Sequence, residues 1–361
     1  MSQELVFQLE LSLIKGVGPV TAKKLIAYCG GPEAVFKEKI SNLKKIPTIG
    51  SALANEIQNP TVLKRAQEEI NYIDKHKIEV LSFWDSHYPY QLKQCVDAPI
   101  LLFSKGKIEW NDKPIISVVG TRKASAYGLS VCKELIKDLS QFSPTIVSGL
   151  AYGIDSYAHK EALKNDIQTI GVLAHGLDNI YPKSNAKLAR EMTQNGGLLT
   201  EFLSCSKLVR ENFVRRNRIV AGLADVTIVI ESKIKGGAMI TARMANSYNR
   251  DVFAIPGRLH DICSKGCLHL IKNNEAIAYT GIDDIIENMS WQNKAVSNQQ
   301  LLFDFTPEEK SIYDLIVEYN EMHIDKISQN TNISSDKLPE ILMKLELEGV
   351  IHHKAGNIYM V

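Results

Sequence analysis

The chain has 361 residues, of which 45% are apolar and 23% charged, with a net charge of +1. Such a composition supplies more than one apolar core and excludes both a disordered chain and a protein coated evenly in positive charge. No apolar run reaches the roughly 18 residues of a membrane helix, and Glu4 and Glu10 stand where a signal peptide would be basic, so a cytoplasmic protein without membrane contact is expected.

Residues 1–75 read as short helices around two similar turns, in "LSLIKGVGPVTAKKLIAYCG" and "LKKIPTIGSALANEI", both resembling helix-hairpin-helix units. Gly16 and Gly18 would let the first turn present backbone N–H groups to a phosphate. Pro47 replaces the leading glycine of the second, which is expected to pack and not to bind. A small packing module without nucleic-acid contact is the other reading.

From residue 76 the pattern becomes short apolar runs alternating with amphipathic helices. "PIISVVG", "TIVSG", "QTIGVLAH", "GLLTEF", "DVTIVIE" and "DVFAIPG" predict a largely parallel sheet with crossover helices over 76–290. Ligands on such sheets lie beyond the carboxyl ends of the strands, which directs attention to the loops after these runs. In "VVGTRKASAYG" a strand ends at Gly120, with Thr121 and Arg122 at its mouth and a helix starting near Tyr127; an anion there would meet free N–H groups, the helix dipole and a guanidinium. In "IVSGLAYGIDSYAH" a strand passes through Ser148, Gly149 and Gly153 into a helix carrying Asp155 and His159 one turn apart. That pair can act as orienter and base or can knit the loop; no nucleophile elbow accompanies it.

The stretch "KLVRENFVRRNRIVAGLAD" holds Lys207, Arg210, Arg215, Arg216 and Arg218 against Glu211 alone, with Phe213 among them. On a helix Arg215 and Arg218 share one face, while Phe213, Asn217 and Val220 lie on another. Cations interleaved with an aromatic suit single-stranded nucleic acid, because phosphates want charge and unpaired bases want a flat apolar partner. A solvated charged face over a buried Phe213 is the competing reading.

Six scattered cysteines do not make a disulfide framework. His260, Cys263, Cys267 and His269 could gather around zinc, but the gap between the cysteines is wider than a CxxC knuckle, and buried thiols are expected.

Residues 291–303 are amide-rich and read as a linker. Residues 304–361 predict three helical stretches followed by a β-hairpin, the order of a winged helix, with Ser334 as an N-cap and Gly349 as a C-terminal stop. Charge separates the regions: +2 over 1–75, +5 over 76–303 and −6 over 304–361. In the last helix Glu340, Glu346 and Glu348 outnumber Lys337 and Lys344, so a protein-contact or autoinhibitory role is expected there in place of DNA reading.

Taken in order, "VVGTRKASAYG", "IVSGLAYGIDSYAH", "GVLAHGLDNIYP", "GGLLTEF", "NFVRRNRIVAGLADVTIVIE", "GGAMITARMANSYNRDVFAIPG" and "SKGCLHLIKNNEA" resemble the DNA-processing protein A (DprA, also Smf) family, closely over residues 80–285. The resemblance implies an extended Rossmann-type domain flanked by an N-terminal helical domain (helix-hairpin-helix or SAM-like) and a C-terminal winged helix. It implies a homodimer that binds single-stranded DNA, protects incoming strands and loads the RecA recombinase in natural transformation; on the residues themselves no cofactor, no metal and no enzymatic turnover are expected. The family's basic DNA pocket maps onto Gly120, Thr121, Arg122, Arg210, Phe213, Arg216, Asn217, Arg218, Gly237 and Thr241; the loop from Ser148 and Gly149 to Gly153 is expected to shape it, and Lys207 and Arg215 join it through the basic run. Arg210 replaces a frequent lysine, Gly236 and Ala238 replace serines of a common Ser-Gly-Ser, and Leu268 replaces a usual asparagine. An enzyme alternative is a phosphoribohydrolase of a related Rossmann group, cleaving nucleoside monophosphates with a PGGxGTxxE loop; "KGGAMITARMA" lacks the proline, the third glycine and the acid. A third alternative, a sequence-specific regulator acting through the winged helix, conflicts with the acidic balance of 304–361.

Overall fold

Apolar runs of four or five residues are too short for helices and too uniformly apolar for a strand wetted on one face, so they become the centre of a covered parallel sheet. A computed structural model describes residues 3–58, 61–110, 113–291, 305–319, 321–331, 333–334, 336–347, 350–354 and 357–360. Most of the expected 291–303 linker, and also Glu348 and Gly349, lie outside the described residues. The chain divides into two units, 1–294 and 295–361.

The first unit opens with six helices: α1 (Gln3–Leu13), α2 (Pro19–Cys29), α3 (Pro32–Lys37), α4 (Ile40–Leu43), α5 (Ser51–Ile57) and α6 (Thr61–His76). Their two hairpin turns share one geometry. Gly16 and Thr48 occupy the same place with φ of +88° and +79°, and Gly18 and Gly50 are the extended N-caps of α2 and α5. The residue standing for Gly16 is therefore Thr48, one place after Pro47. Its hydroxyl and the Pro47 carbonyl both accept from Lys24 Nζ on α2, at 3.3 and 3.2 Å.

The sheet follows: β1 (Glu79–Ser82), the short α7 (Tyr90–Lys93), β2 (Leu101–Lys107), β3 (Ile115–Val119), α8 (Ala126–Leu139), β4 (Thr145–Ser148), α9 (Ile154–Lys164), β5 (Thr169–Val172), α10 (Ala186–Met192), β6 (Gly196–Thr200), α11 (Arg210–Leu223), β7 (Val226–Val229), α12 (Gly237–Ser247), β8 (Asp251–Ala254), α13 (Lys265–Lys272), β9 (Ile277–Ala278) and α14 (Ile282–Met289). Spatial order is β1-β2-β6-β5-β4-β3-β7-β8-β9. β6 through β9 pair in parallel, while β1 and β2 form an antiparallel flank on β6. All six apolar runs are strands; β1, β2 and β9 are additions.

Alternation along β3 divides its side chains between two cores. Ile115 and Val119 join α11 and α12 on one face; Ile116 and Val118 join α8 and α9 on the other. Sequential strands march from β3 to β6 in one direction and from β7 to β9 in the other. The loops after β3 and β7 therefore part at the carboxyl end of the sheet and open a crevice, the usual ligand position on such a fold.

The N-terminal helices share a core with Ile100, Leu101 and Phe103 at the start of β2. Polar anchors reinforce it. Buried Glu69 on α6 accepts from the Ser204 N–H at 2.9 Å and from its hydroxyl at 2.5 Å, and Arg65 donates to both Glu69 and the Ser204 carbonyl at 2.7 and 2.6 Å.

The second unit contains α15 (Pro307–Tyr319), β10 (Glu321–His323), α16 (Ile324–Asn330), α17 (Leu338–Leu347), β11 (His352–Lys354) and β12 (Ile358–Met360), with an antiparallel sheet in the order β10-β12-β11. This is a winged helix. Leu338, Leu342 and Leu345 of α17 enter its core with Ile312 and Ile316, leaving Glu340, Met343, Lys344 and Glu346 exposed. Lys344 pairs with Glu309 at 2.7 Å.

Among the described residues no helix is long and apolar enough to cross a membrane. Nor does any group of three or more His, Cys, Asp or Glu side chains come together to hold a metal ion. Cys267 is buried with its thiol against the Val229 and Ile230 carbonyls, while Cys263 lies against the Lys123 carbonyl.

Candidate nucleic-acid interface

A cavity of about 660 Å³ fills the crevice between the loops that follow β3, β4 and β7, lined on one side by α11 from Arg210 to Val220. Its charged lining is lopsided: Arg122, Arg210, Arg216, Lys233 and Lys235 against Asp155. Low-dielectric walls concentrate that potential, so the cavity draws anions.

Phe213 stands at the centre. The Arg122 guanidinium lies 5.5 Å from its ring centroid, and Tyr181, from the loop after β5, meets it edge-on with centroids 6.0 Å apart at 70°. Tyr181 is placed by His175, whose Nε2 accepts the Tyr181 N–H at 3.2 Å while Nδ1 donates to the Gly176 carbonyl at 2.8 Å. Burial lowers the pKa of His175, which favours the neutral ring this arrangement needs.

Beneath Phe213 lies a buried ion system. Arg216 is 6% exposed and donates to the Val172 carbonyl and, through Nε, to Asn217 Oδ1 at 3.2 Å. Gly149 lies where any Cβ would collide with the Arg216 guanidinium and with Asp155 Oδ2, so only glycine lets the two approach the loop. Asp155 accepts from the Ala151 N–H at 3.4 Å. Burial pushes its carboxyl upward and the neighbouring Arg216 opposes that shift; the guanidinium keeps its proton. Gly153 is held at φ +80° with the position of its missing Cβ against the Thr121 carbonyl, which sets the loops after β3 and β4 against each other.

His159 does not face the cavity. It is fully buried, with Nε2 donating to the Gly149 carbonyl and Nδ1 accepting from Thr169 Oγ1, both at 2.6 Å. Burial pulls its pKa down to about 4. Both ring nitrogens are committed to the scaffold, so the Asp155–His159 pair knits the loop, and His159 has no free nitrogen with which to act as a base.

The expected site residues divide accordingly. Gly120, Thr121, Arg122, Gly149, Arg210, Phe213, Arg216, Asn217, Gly237 and Thr241 line the cavity together. Ser148 is buried beneath it and donates to the Val118 carbonyl at 2.6 Å. Gly153 shapes the loop from outside the lining, and Lys207 is exposed beyond it. Arg215 and Arg218 turn away: both clamp Glu201 Oε2, at 2.7 and 2.6 Å, on the other face of α11. Lys233, Lys235 and Tyr181 are residues that sequence reasoning missed. "ESKIKGG" carries both lysines immediately before the glycines of the loop after β7, a visible signal, whereas Tyr181 meets Phe213 only through tertiary folding.

The fold and the site define a class: a Rossmann-type protein with a cationic, aromatic-centred cavity at the switch point of its sheet, joined to a winged helix. Residues 79–290 match the family model for DNA recombination-mediator protein A, and residues 292–357 match that for the DprA winged helix domain. DNA processing protein DprA of Streptococcus pneumoniae is 38% identical over 234 residues, covering 64% of this chain and 83% of the relative. The X-ray structure of DprA from that organism superposes with a TM-score of 0.65 and 32% identity, covering 80% of this chain and 98% of the other. A structure of DNA processing protein A from Helicobacter pylori, described for its single-stranded DNA binding mode, superposes with a TM-score of 0.54 and 30% identity over 59% of this chain and 96% of its own. The chain belongs to the DNA-processing protein A (DprA/Smf) family.

Proposed function

We propose that the cavity binds single-stranded DNA, and that through it the protein protects incoming strands and loads the RecA recombinase in the cytoplasm during transformation and recombination, working as a homodimer. The observation that carries the binding step is Phe213 set between Arg122 and Tyr181 among five cations. Paired bases hide their faces inside the stack, so an aromatic platform beside the Arg122 guanidinium favours an unpaired base next to its own phosphate. The Helicobacter pylori relative's single-stranded DNA binding mode supports this reading. A binding role, not an enzymatic one, fits the commitment of His159 to the scaffold.

The test is a competition between single- and double-stranded oligonucleotides of equal length at one salt concentration. The single strand should bind more tightly, with little dependence on sequence. Equal affinity for the duplex would sink the proposal. Incubation with nucleoside mono- and triphosphates should release neither base nor phosphate; release that disappears on changing Asp155 would restore the hydrolase reading.

A further inference from the structure

On Rossmann-type sheets the helix after the first strand of the parallel set presents its N-terminus to the diphosphate of a nucleotide, where free N–H groups and the helix dipole meet the charge. α8 stands in that position, after β3. Here the place holds an anion that belongs to the protein. Glu231, two residues past the end of β7, is 3% exposed. Its Oε2 accepts the Ser125 N–H at 2.9 Å and its Oε1 the Ser125 hydroxyl at 2.5 Å. Ser125 is the N-cap of α8, and its Oγ in turn accepts the Gly128 N–H at 3.0 Å. A Cβ on Gly128 would lie 2.5 Å from Glu231 Cδ and 2.6 Å from Oε2. The carboxylate is therefore seated on the first turn of the helix, and a glycine at 128 is what admits it.

A buried carboxylate needs donors and a positive potential, and the helix end supplies both. The reverse also follows: with one anion in that seat, a second is repelled from it. We propose that Glu231 is a specificity-determining residue, a built-in counter-anion that keeps free nucleotides off the α8 terminus and leaves the cavity to the phosphates of a polymer gathered by Arg210, Arg216, Lys233 and Lys235. The polymer half of this statement rests on the single-stranded DNA reading above; the closure of the α8 terminus does not.

The test uses the full chain and inorganic pyrophosphate as the probe, titrated calorimetrically into wild type and Glu231→Gln at fixed ionic strength, with a labelled oligo(dT) binding measurement beside it. Glutamine keeps an acceptor for the Ser125 N–H and removes the charge. Pyrophosphate should bind the variant at least tenfold more tightly than wild type, while oligo(dT) affinity changes less than threefold. Equal pyrophosphate affinity in a variant that still binds oligo(dT) overturns the inference. Should the variant fail to fold, wild type decides alone: pyrophosphate added to ¹⁵N-labelled protein should leave the amide signals of Ala126, Tyr127 and Gly128 in place, and a shift there overturns the inference. Tighter pyrophosphate binding by the variant in a protein that binds no oligonucleotide would uphold the closed terminus and reject the DNA reading.

Discussion

Arg122 and Phe213 form the contact on which the proposed preference for single strands depends most directly. Phe213→Ala removes a stacking platform of about 1–3 kcal/mol per base and should weaken oligo(dT) binding roughly tenfold or more while leaving a folded protein. Arg122→Ala or Arg210→Ala should lower affinity and also flatten the plot of log K against log salt, by about 0.7 for each direct phosphate contact on a single strand. An unchanged slope in a folded variant places the contact elsewhere. His159 makes a separate prediction about pH. Its folded pKa is depressed from 6.5 to about 4, so the stability it contributes is present above about pH 6.5 and is lost as pH falls toward 4. The amount is on the order of 3 kcal/mol, since each tenfold loss of proton affinity on folding is worth about 1.4 kcal/mol. Thermal unfolding followed across this window should show a fall in Tm that His159→Gln reduces; His175, also depressed by burial, accounts for part of what remains.

At the scale of the element, α11 sorts its cations between two employments. One face gives Arg210, Phe213, Arg216 and Asn217 to the cavity, and the other gives Arg215 and Arg218 to Glu201. Glu201 and Arg218 have side chains only 2% and 7% exposed, so Glu201→Gln leaves a charge buried without its partner and should cost about 3 kcal/mol in urea unfolding. Arg215→Ala, at a half-exposed side chain, should cost under about 1 kcal/mol. The parallel strands were legible in the sequence because burial on both faces demands continuous apolar runs, and helix periodicity put Arg215 and Arg218 together. What periodicity could not show is which face of α11 looks into the cavity, since Glu201 lies on the preceding loop, and its pairing appears only in the folded chain. β2 escaped because "LLFSKGK" is apolar in its first half and exposed in its second. In the hairpins the matching positive φ at Thr48 was hidden by its residue type, because threonine gives no cue for a conformation usually left to glycine.

For the whole molecule, charge divides along the chain, and residues 304–361 carry a net −6. Deleting them should leave binding of short single strands unchanged or slightly tighter, because an acidic segment beside DNA repels its backbone, and beyond the Debye length of about 8 Å at physiological salt it has little influence. A folded truncation that binds at least tenfold more weakly, about 1.4 kcal/mol, would assign the winged helix a direct share of the site.

The anchoring of α6 to the loop after β6 has a dynamic counterpart. Ser204, held by Glu69 and Arg65, lies six residues before Arg210 on a continuous stretch of chain. A strand bound at Arg210 and Phe213, as proposed, is expected to steady this stretch against the N-terminal helices. Occupancy becomes measurable far from the nucleotides, as slower hydrogen exchange of backbone amides along α6 when oligo(dT) is bound. Cutting the tether with Glu69→Ala should cancel that slowing while the cavity still fills, so the helical region would act as a reporter of the bound state.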